Sequence, residues 1–165
     1  MAEQTLTGRQ AVVEGLASHP AVRALVDWNA TAVTDALFDR GELSLTIEGG
    51  QILAAAQAVQ KAGYNFFEDM TAVDWYPRTP RFQLSYHILS HQFRERIRLR
   101  ALVDETDPSI DSITAAWPSA NYYEREVFDL FGIVFNHHPN LRRIMMPDDW
   151  QGHPLRKDYP VEGYR

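Results

Sequence analysis

The last forty-odd residues constrain the fold most. Tyr122-Tyr-Glu-Arg-Glu-Val-Phe-Asp-Leu-Phe-Gly132 reads as a dense amphipathic helix, and the chain then runs on through a long tail. Pro139, Pro147, Pro154 and Pro160 punctuate that tail. Each proline removes a backbone donor and pushes the preceding residue toward extended geometry, so no regular helix or strand fits there. Yet Leu141, Ile144, Met145, Met146, Trp150, Leu155 and Tyr159 make the segment apolar, whereas a free tail is normally polar. Such a segment needs a surface to lie on. The reading divides the chain into an α+β domain over residues 1–136 and an extended partner-binding tail over residues 137–165.

Upstream, hydrophobic periodicity marks the elements. Thr7-x-x-Gln10 resembles a capping box opening a helix that ends near Ser18. Residues 21–40 are ambiguous, helical in propensity with β-branched patches. Leu43–Ile47 alternates as a strand, Gln51–Ala62 is a strong helix former closed by Gly63, and the aromatic stretch Tyr64–Tyr76 contains a strand. Phe82, Leu84, Tyr86 and Ile88 alternate with polar residues. After a turn near Ser90–Gln92, Ile97, Leu99, Ala101 and Val103 alternate opposite Arg94, Arg96, Arg98 and Arg100. This predicts an antiparallel hairpin with one buried face and one arginine-lined face. Asp107-Pro108 predicts a short helix through about Ala116, and Asn121-x-x-Glu124 a capping box for the next. On that helix Tyr123, Val127, Leu130 and Phe131 form one apolar stripe, with Gly132 as its C-cap. The mixed order of elements predicts an α+β fold, mainly an antiparallel sheet packed with helices and followed by the extended C-terminal tail.

Composition excludes several chemistries. The chain has no cysteine, so disulfides, a cysteine nucleophile and cysteine-ligated clusters are absent. Its formal charge of −6 disfavours a nucleic-acid partner. No apolar run approaches transmembrane length, and Met1-Ala-Glu-Gln-Thr lacks the features of a signal peptide. No dinucleotide, P-loop or nucleophile-elbow motif occurs.

Three clusters could carry chemistry. Glu124, Arg125, Glu126 and Asp129 could do acid–base work, or form a solvated or partner-facing acidic side with Arg125 and Asp129 paired at i, i+4. His137, His138 and His153, with Asp148 or Asp149, could bind a metal, although their spacing matches no helical ligand motif. The arginine stripe is a solvated sheet face, or a docking strip for an acidic surface or for the chain's own acidic helix.

Thr71-Ala-Val-Asp-Trp75, Phe82-Gln-Leu-Ser-Tyr-His-Ile-Leu-Ser90, Arg98-Leu-Arg100, Trp117-Pro-Ser-Ala-Asn121, Glu124-Arg-Glu-Val-Phe-Asp-Leu-Phe-Gly132, His138-Pro-Asn-Leu-Arg-Arg-Ile144 and Gly152-His-Pro-Leu-Arg-Lys-Asp-Tyr-Pro160 follow one another in order. Together they resemble the 30-kDa subunit of respiratory complex I, known in bacteria as the C subunit of NADH-quinone oxidoreductase. Two positions depart from that pattern: Tyr122 replaces the usual tryptophan, and His137 replaces the usual glycine.

The resemblance implies a cofactor-free structural subunit of the peripheral arm, with FMN and iron–sulfur clusters in other subunits. Its implied place is the cytoplasmic face of the bacterial inner membrane, with no transmembrane segment of its own. It implies docking on the quinone-site (49-kDa or D) subunit through Glu124, Arg125, Glu126, Asp129, His138, Arg142, Arg143, Trp150, His153, Arg156, Lys157, Asp158 and Tyr159. A plastoquinone-linked or hydrogenase-type host is the alternative, and a stand-alone enzyme using the tail histidines and carboxylates is a further one. On the docking reading, removing residues 137–165 leaves the domain folded, and Arg156→Ala or Lys157→Ala weakens assembly without lowering the melting temperature.

Overall fold

In the computed structural model, residues 5–163 are described; Met1-Ala-Glu-Gln of the N-terminal reading lies outside them. A six-stranded sheet has the order β1-β2-β3-β6-β5-β4, from β1 (Leu6–Thr7), β2 (Val33–Asp39), β3 (Glu42–Ile47), β4 (Phe66–Asp74), β5 (Phe82–Ser90) and β6 (Glu95–Val103). All neighbours pair antiparallel except β3 and β6, which run parallel at the centre. Four helices accompany it: α1 (Arg9–Gly15), α2 (Pro20–Asn29), α3 (Ile52–Lys61) and α4 (Ala120–Phe131). A second sheet pairs β7 (Ser109–Asp111) with β8 (Val134–Asn136) in parallel.

Register explains why the core closes. Phe67, Ile88, Ile97, Leu43 and Phe38 fall in one row across five strands, and Met70, Tyr86, Leu99, Leu45 and Ala36 in the next. Successive strand residues point to opposite faces, so these rows share a face and bury together. Val12, Leu25, Ile52, Val59, Val127 and Phe131 from the helices join them in one cluster. Phe67 anchors α4 to β4 through aromatic contacts with Trp117 and Tyr123.

The opposite face carries the arginines, on the face the sequence predicts. Ile97, Leu99, Ala101 and Val103 are buried, whereas Arg96, Arg98 and Arg100 are at least partly exposed. Arg94 departs from the stripe: it lies in the turn before β6, with φ of +55°. The stripe meets carboxylates of its own sheet, not the acidic helix. Arg96 pairs with Glu68, and Arg98 pairs with Glu42 while donating to the His87 ring, which in turn holds Asp69. A charged row therefore crosses β4, β5, β6 and β3 on the open face.

Several boundaries move. The ambiguous stretch resolves into α2 and then β2, with Asn29 Oδ1 capping the turn between them through the Thr31 N–H (3.1 Å). The first helix starts at Arg9 without a side-chain cap. The helix expected after Pro108 is instead β7, because Ser109–Asp111 finds a parallel partner in β8. Helix α4 begins two residues earlier than the capping box implies, with Ser119 as N-cap, and Glu124 serves a different purpose.

Tail residues 137–163 contain turns and bends but no helix or strand. His137, where the family pattern has glycine, adopts φ of +62°. A side chain in the left-handed region costs roughly 1–2 kcal/mol, partly offset by the greater freedom glycine brings to the unfolded chain. We therefore expect His137→Gly to raise unfolding free energy by about 1 kcal/mol in denaturant titrations. No gain would place the strain elsewhere.

Candidate tail-docking site

The residues expected to reach a partner converge first on the chain's own tail. Helix α4 turns Glu124, Arg125 and Asp129 inward, and all three are buried. The solvated acidic side is thereby corrected: of the helix's charged residues only Glu126 is exposed. Arg125 and Asp129 do not pair with each other; each grips the tail.

Asp129 Oδ2 accepts three consecutive backbone N–H groups, from Ile144 (3.0 Å), Met145 (2.8 Å) and Met146 (2.8 Å). Its Oδ1 takes the Arg143 guanidinium at 2.6 Å. Burial alone would raise the Asp129 pKa, but these donors outweigh it and hold the carboxyl below its usual range. Arg125 supplies the complement, donating to the carbonyls of Arg142 (3.2 Å) and Arg143 (3.0 Å). An acid and a base one helical turn apart thus satisfy donors and acceptors of a segment that has no ladder of its own.

The C-terminal end of α4 holds the next stretch. The chain leaves the helix at Gly132 with φ of +72°, in the left-handed conformation that closes helices. Any Cβ there would come within 2.5 Å of the His153 ring and 2.8 Å of Arg156. The bare glycine lets the tail cross the helix terminus. Arg156 Nε donates to the Phe131 carbonyl at 2.6 Å, the Leu155 N–H to Leu130 at 3.0 Å, and His153 Nδ1 to the Asp129 carbonyl at 2.9 Å. These satisfy carbonyls that a helix end leaves open.

A third anchor escapes sequence reasoning. Arg81 is 1% exposed and makes a bidentate pair with Asp74, Nε to Oδ1 at 3.0 Å and Nη2 to Oδ2 at 2.8 Å. It also binds Glu105 and both oxygens of Asp158, so all five of its N–H donors are used. The Lys157 N–H donates to Asp74 Oδ2 at 2.8 Å. The Arg81 guanidinium lies 5.0 Å from the Tyr76 ring and 5.1 Å from that of Phe82. Burial opposes ionisation of Asp74, but hydrogen bonds from Arg81, Lys157 and Tyr76 bring its pKa down to about 2. Asp74 lies inside a motif; Arg81, between Pro80 and Phe82, has no pattern to mark it.

Two of the tail histidines, His138 and His153, are committed to backbone. His138 Nε2 donates to the Asn121 carbonyl (3.2 Å) and its Nδ1 accepts the Asn140 N–H (3.0 Å), which fixes a neutral ring. Among the described residues, no three His, Asp or Glu side chains converge as a metal-binding group. Arg142, Trp150, Lys157 and Asp158 are exposed residues, and the Tyr159 hydroxyl donates to the Gln151 carbonyl.

The tail is therefore seated on its own domain, with Leu141 and Met146 packed against the core. These contacts argue against the expectation that truncation is harmless to the domain. Removing residues 137–165 strips the partners from Asp129 and Arg81, and we expect it to lower the melting temperature markedly. Asp129→Ala should cost about 3 kcal/mol or more in denaturant titrations, since it leaves several buried donors and Arg143 unpaired. Arg156→Ala should also lower the melting temperature, whereas Lys157→Ala should not: among the described residues its ammonium has no hydrogen bond or ion pair within the chain. Asp74 adds an acid limb. Its folded pKa lies below the unfolded value, so its contribution is complete above about pH 4 to 5 and is lost as pH falls toward about 2. Asp74→Asn should flatten that limb; an unchanged acid limb would show that Asp74 is not its source.

Comparison with known proteins gives the arrangement a family. Residues 45–165 match the family described as respiratory-chain NADH dehydrogenase, 30 Kd subunit. The chain is 48% identical over 144 residues to the NADH-quinone oxidoreductase C subunit of Citrifermentans bemidjiense, covering 87% of this chain and 89% of that one. It is 43% identical to the same subunit of Geobacter sulfurreducens, covering 87% and 90%. Among solved structures, the trypsin-resistant fragment (1-134) of Nqo5 superposes with a TM-score of 0.65 at 31% identity, covering 74% of this chain and 99% of the fragment. The membrane-bound sulfane sulfur reductase, an archaeal respiratory membrane complex, shares the fold with a TM-score of 0.75 at 20% identity, covering 90% of this chain and 85% of that one. The chain belongs to the 30 Kd subunit family of respiratory-chain NADH dehydrogenase.

Proposed function

We propose that the chain is a non-catalytic structural subunit in the peripheral arm of a proton-translocating NADH:quinone oxidoreductase. In this reading it supports electron transfer from NADH to quinone by docking on the quinone-site subunit. It holds no cofactor, FMN and iron–sulfur clusters belong to other subunits, and it sits peripherally on the cytoplasmic face of the inner membrane. Among the described residues no helix is long and apolar enough to cross a membrane, so membrane association in this reading comes through the complex.

One observation carries the proposal. Leu141 and Met146 turn inward with the tail's polar anchors, but other apolar side chains are left outside: Ile144, Met145, Trp150 and Leu155 are all exposed, Met145 by 59%. Tyr122 on α4 is exposed as well. Hydrophobic side chains presented along a fixed ribbon fit a protein interface, where aromatic residues and methionine are enriched. Arg142, Lys157 and Glu126 supply charge around them for orientation. Arg125, Asp129, Arg143, His153 and Arg156 act at one remove, by holding the ribbon in place.

The test is affinity purification of the chain from solubilised membranes. We expect redox subunits to co-purify and the isolated chain to show no NADH oxidation. A Met145→Glu and Trp150→Ala double variant should lose the co-purifying subunits while keeping the melting temperature. Retained assembly in that variant would move the interface off the ribbon. NADH oxidation by the chain alone would overturn the structural role.

A further inference from the structure

Glu124 is a buried carboxylate that the docking of the tail does not require. It is 0% exposed, and so is the side chain of His138, whose Nε2 lies 3.8 Å from Glu124 Oε2. Oε1 accepts the Ile113 N–H at 2.7 Å, and Oε2 lies 2.6 Å from the Ser112 hydroxyl. Ser112 Oγ is in turn 2.7 Å from Thr114 Oγ1, and Thr114 is partly exposed. A chain of hydroxyls thus leads from the carboxyl toward solvent. Each oxygen along it can donate or accept, so a proton on Oε2 is accommodated by turning the Ser112 O–H toward Thr114.

Among the described residues no cation faces the carboxylate. His138 is held neutral by the Asn140 N–H on Nδ1. Arg125, next along the helix, is turned to the Arg142 and Arg143 carbonyls. From β5 comes Tyr86, fully buried, with a hydroxyl that has no hydrogen-bond partner among the described residues. Asp129, more than one turn further on, faces the opposite stretch of the tail. An ionised Glu124 would be a lone charge, which burial penalises heavily. Two segments lie against it: Ser112 and Ile113 after β7, bonded to its oxygens, and the start of the tail, through the buried His138 ring.

We propose that Glu124 is a proton-operated latch on the tail: it keeps its proton, shared with Ser112, while the His138–Asn140 turn covers it, and gives that proton to water when the turn lifts. Seating the start of the tail then takes up one proton, and lifting it releases one. Burial agrees in direction, raising the carboxyl to about 7, with the hydrogen bonds from Ser112 and Ile113 offsetting only part of the effect. Because the covered form has the higher pKa, covering is favoured at low pH. It weakens as pH climbs from the ordinary carboxylate range through about 7. The latch is independent of which partner the ribbon meets.

Hydrogen exchange of the intact chain tests it, using the amides of His138 and Asn140 corrected for the intrinsic pH dependence of exchange. Between about pH 5 and about pH 8 we expect the opening equilibrium there to increase by tens of fold, with amides of β5 and β6 unaffected. Glu124→Gln, which still accepts from Ile113 and can donate to Ser112, should hold the opening constant across that range. Should the variant fail to fold, infrared spectra of the wild-type chain decide: a protonated-carboxyl band must be present near neutral pH and fade as pH rises. Opening that is independent of pH, opening promoted by acid (the signature of His138 protonation), or absence of that band would each overturn the latch.

Discussion

The structure depends on a single carboxylate taking hold of backbone that has no ladder. Asp129 accepts the amides of Ile144, Met145 and Met146 in succession, doing for an irregular segment what a neighbouring strand does for a β-strand. Prolines deny the tail regular structure, but buried N–H groups still have to be paired. A charged acceptor on a rigid helix meets that need at a fixed position. Arg125 meets the matching need of the carbonyls. The helix therefore serves as a template, and the geometry of the ribbon follows from it.

Around that contact the molecule divides its polar groups by task. Asp74, Asp129 and Arg81 are deeply buried and richly bonded. They have the partners that make buried charge tolerable. Arg96, Arg98, His87 and Asp69 form a row across the open sheet face in contact with water, where such pairs contribute little. Glu124 belongs to neither group. It is buried like the first, but among the described residues no cation faces it.

The elements legible in the sequence are those whose signal is local. The β5–β6 hairpin and the α4 stripe follow from the two-residue and helical periodicities, and Gly132 as C-cap follows from its place after the stripe. What escaped depends on partners distant in sequence. Asp107-Pro108 has the look of a helix start, yet Ile110 lies opposite Phe135 in a parallel pair. The parallel contact of β3 with β6 has no hairpin turn to announce it. At the tail, apolar residues between prolines correctly demand a surface, but nothing in them says whose. The answer rests on Asp74, Arg81 and Asp129, which look in sequence like any other charged residues. His137 is a further case: the departure from glycine is visible in the sequence, while its retained left-handed backbone is not.

The Arg81 cluster joins residues far apart along the chain, since Asp74 meets the Lys157 amide across 83 positions. Protein synthesis proceeds from the N-terminus, and segments that can fold begin to do so as they emerge. The sheet contains every partner it needs by Val103, but the last anchor of the ribbon, Arg81 with Asp158, cannot form until Asp158 has left the ribosome. The apolar side of the ribbon is complete only at that point. A nascent or prematurely terminated chain can thus carry a formed sheet and still lack the complete apolar ribbon, which makes the completed ribbon a physical marker that translation has passed this segment.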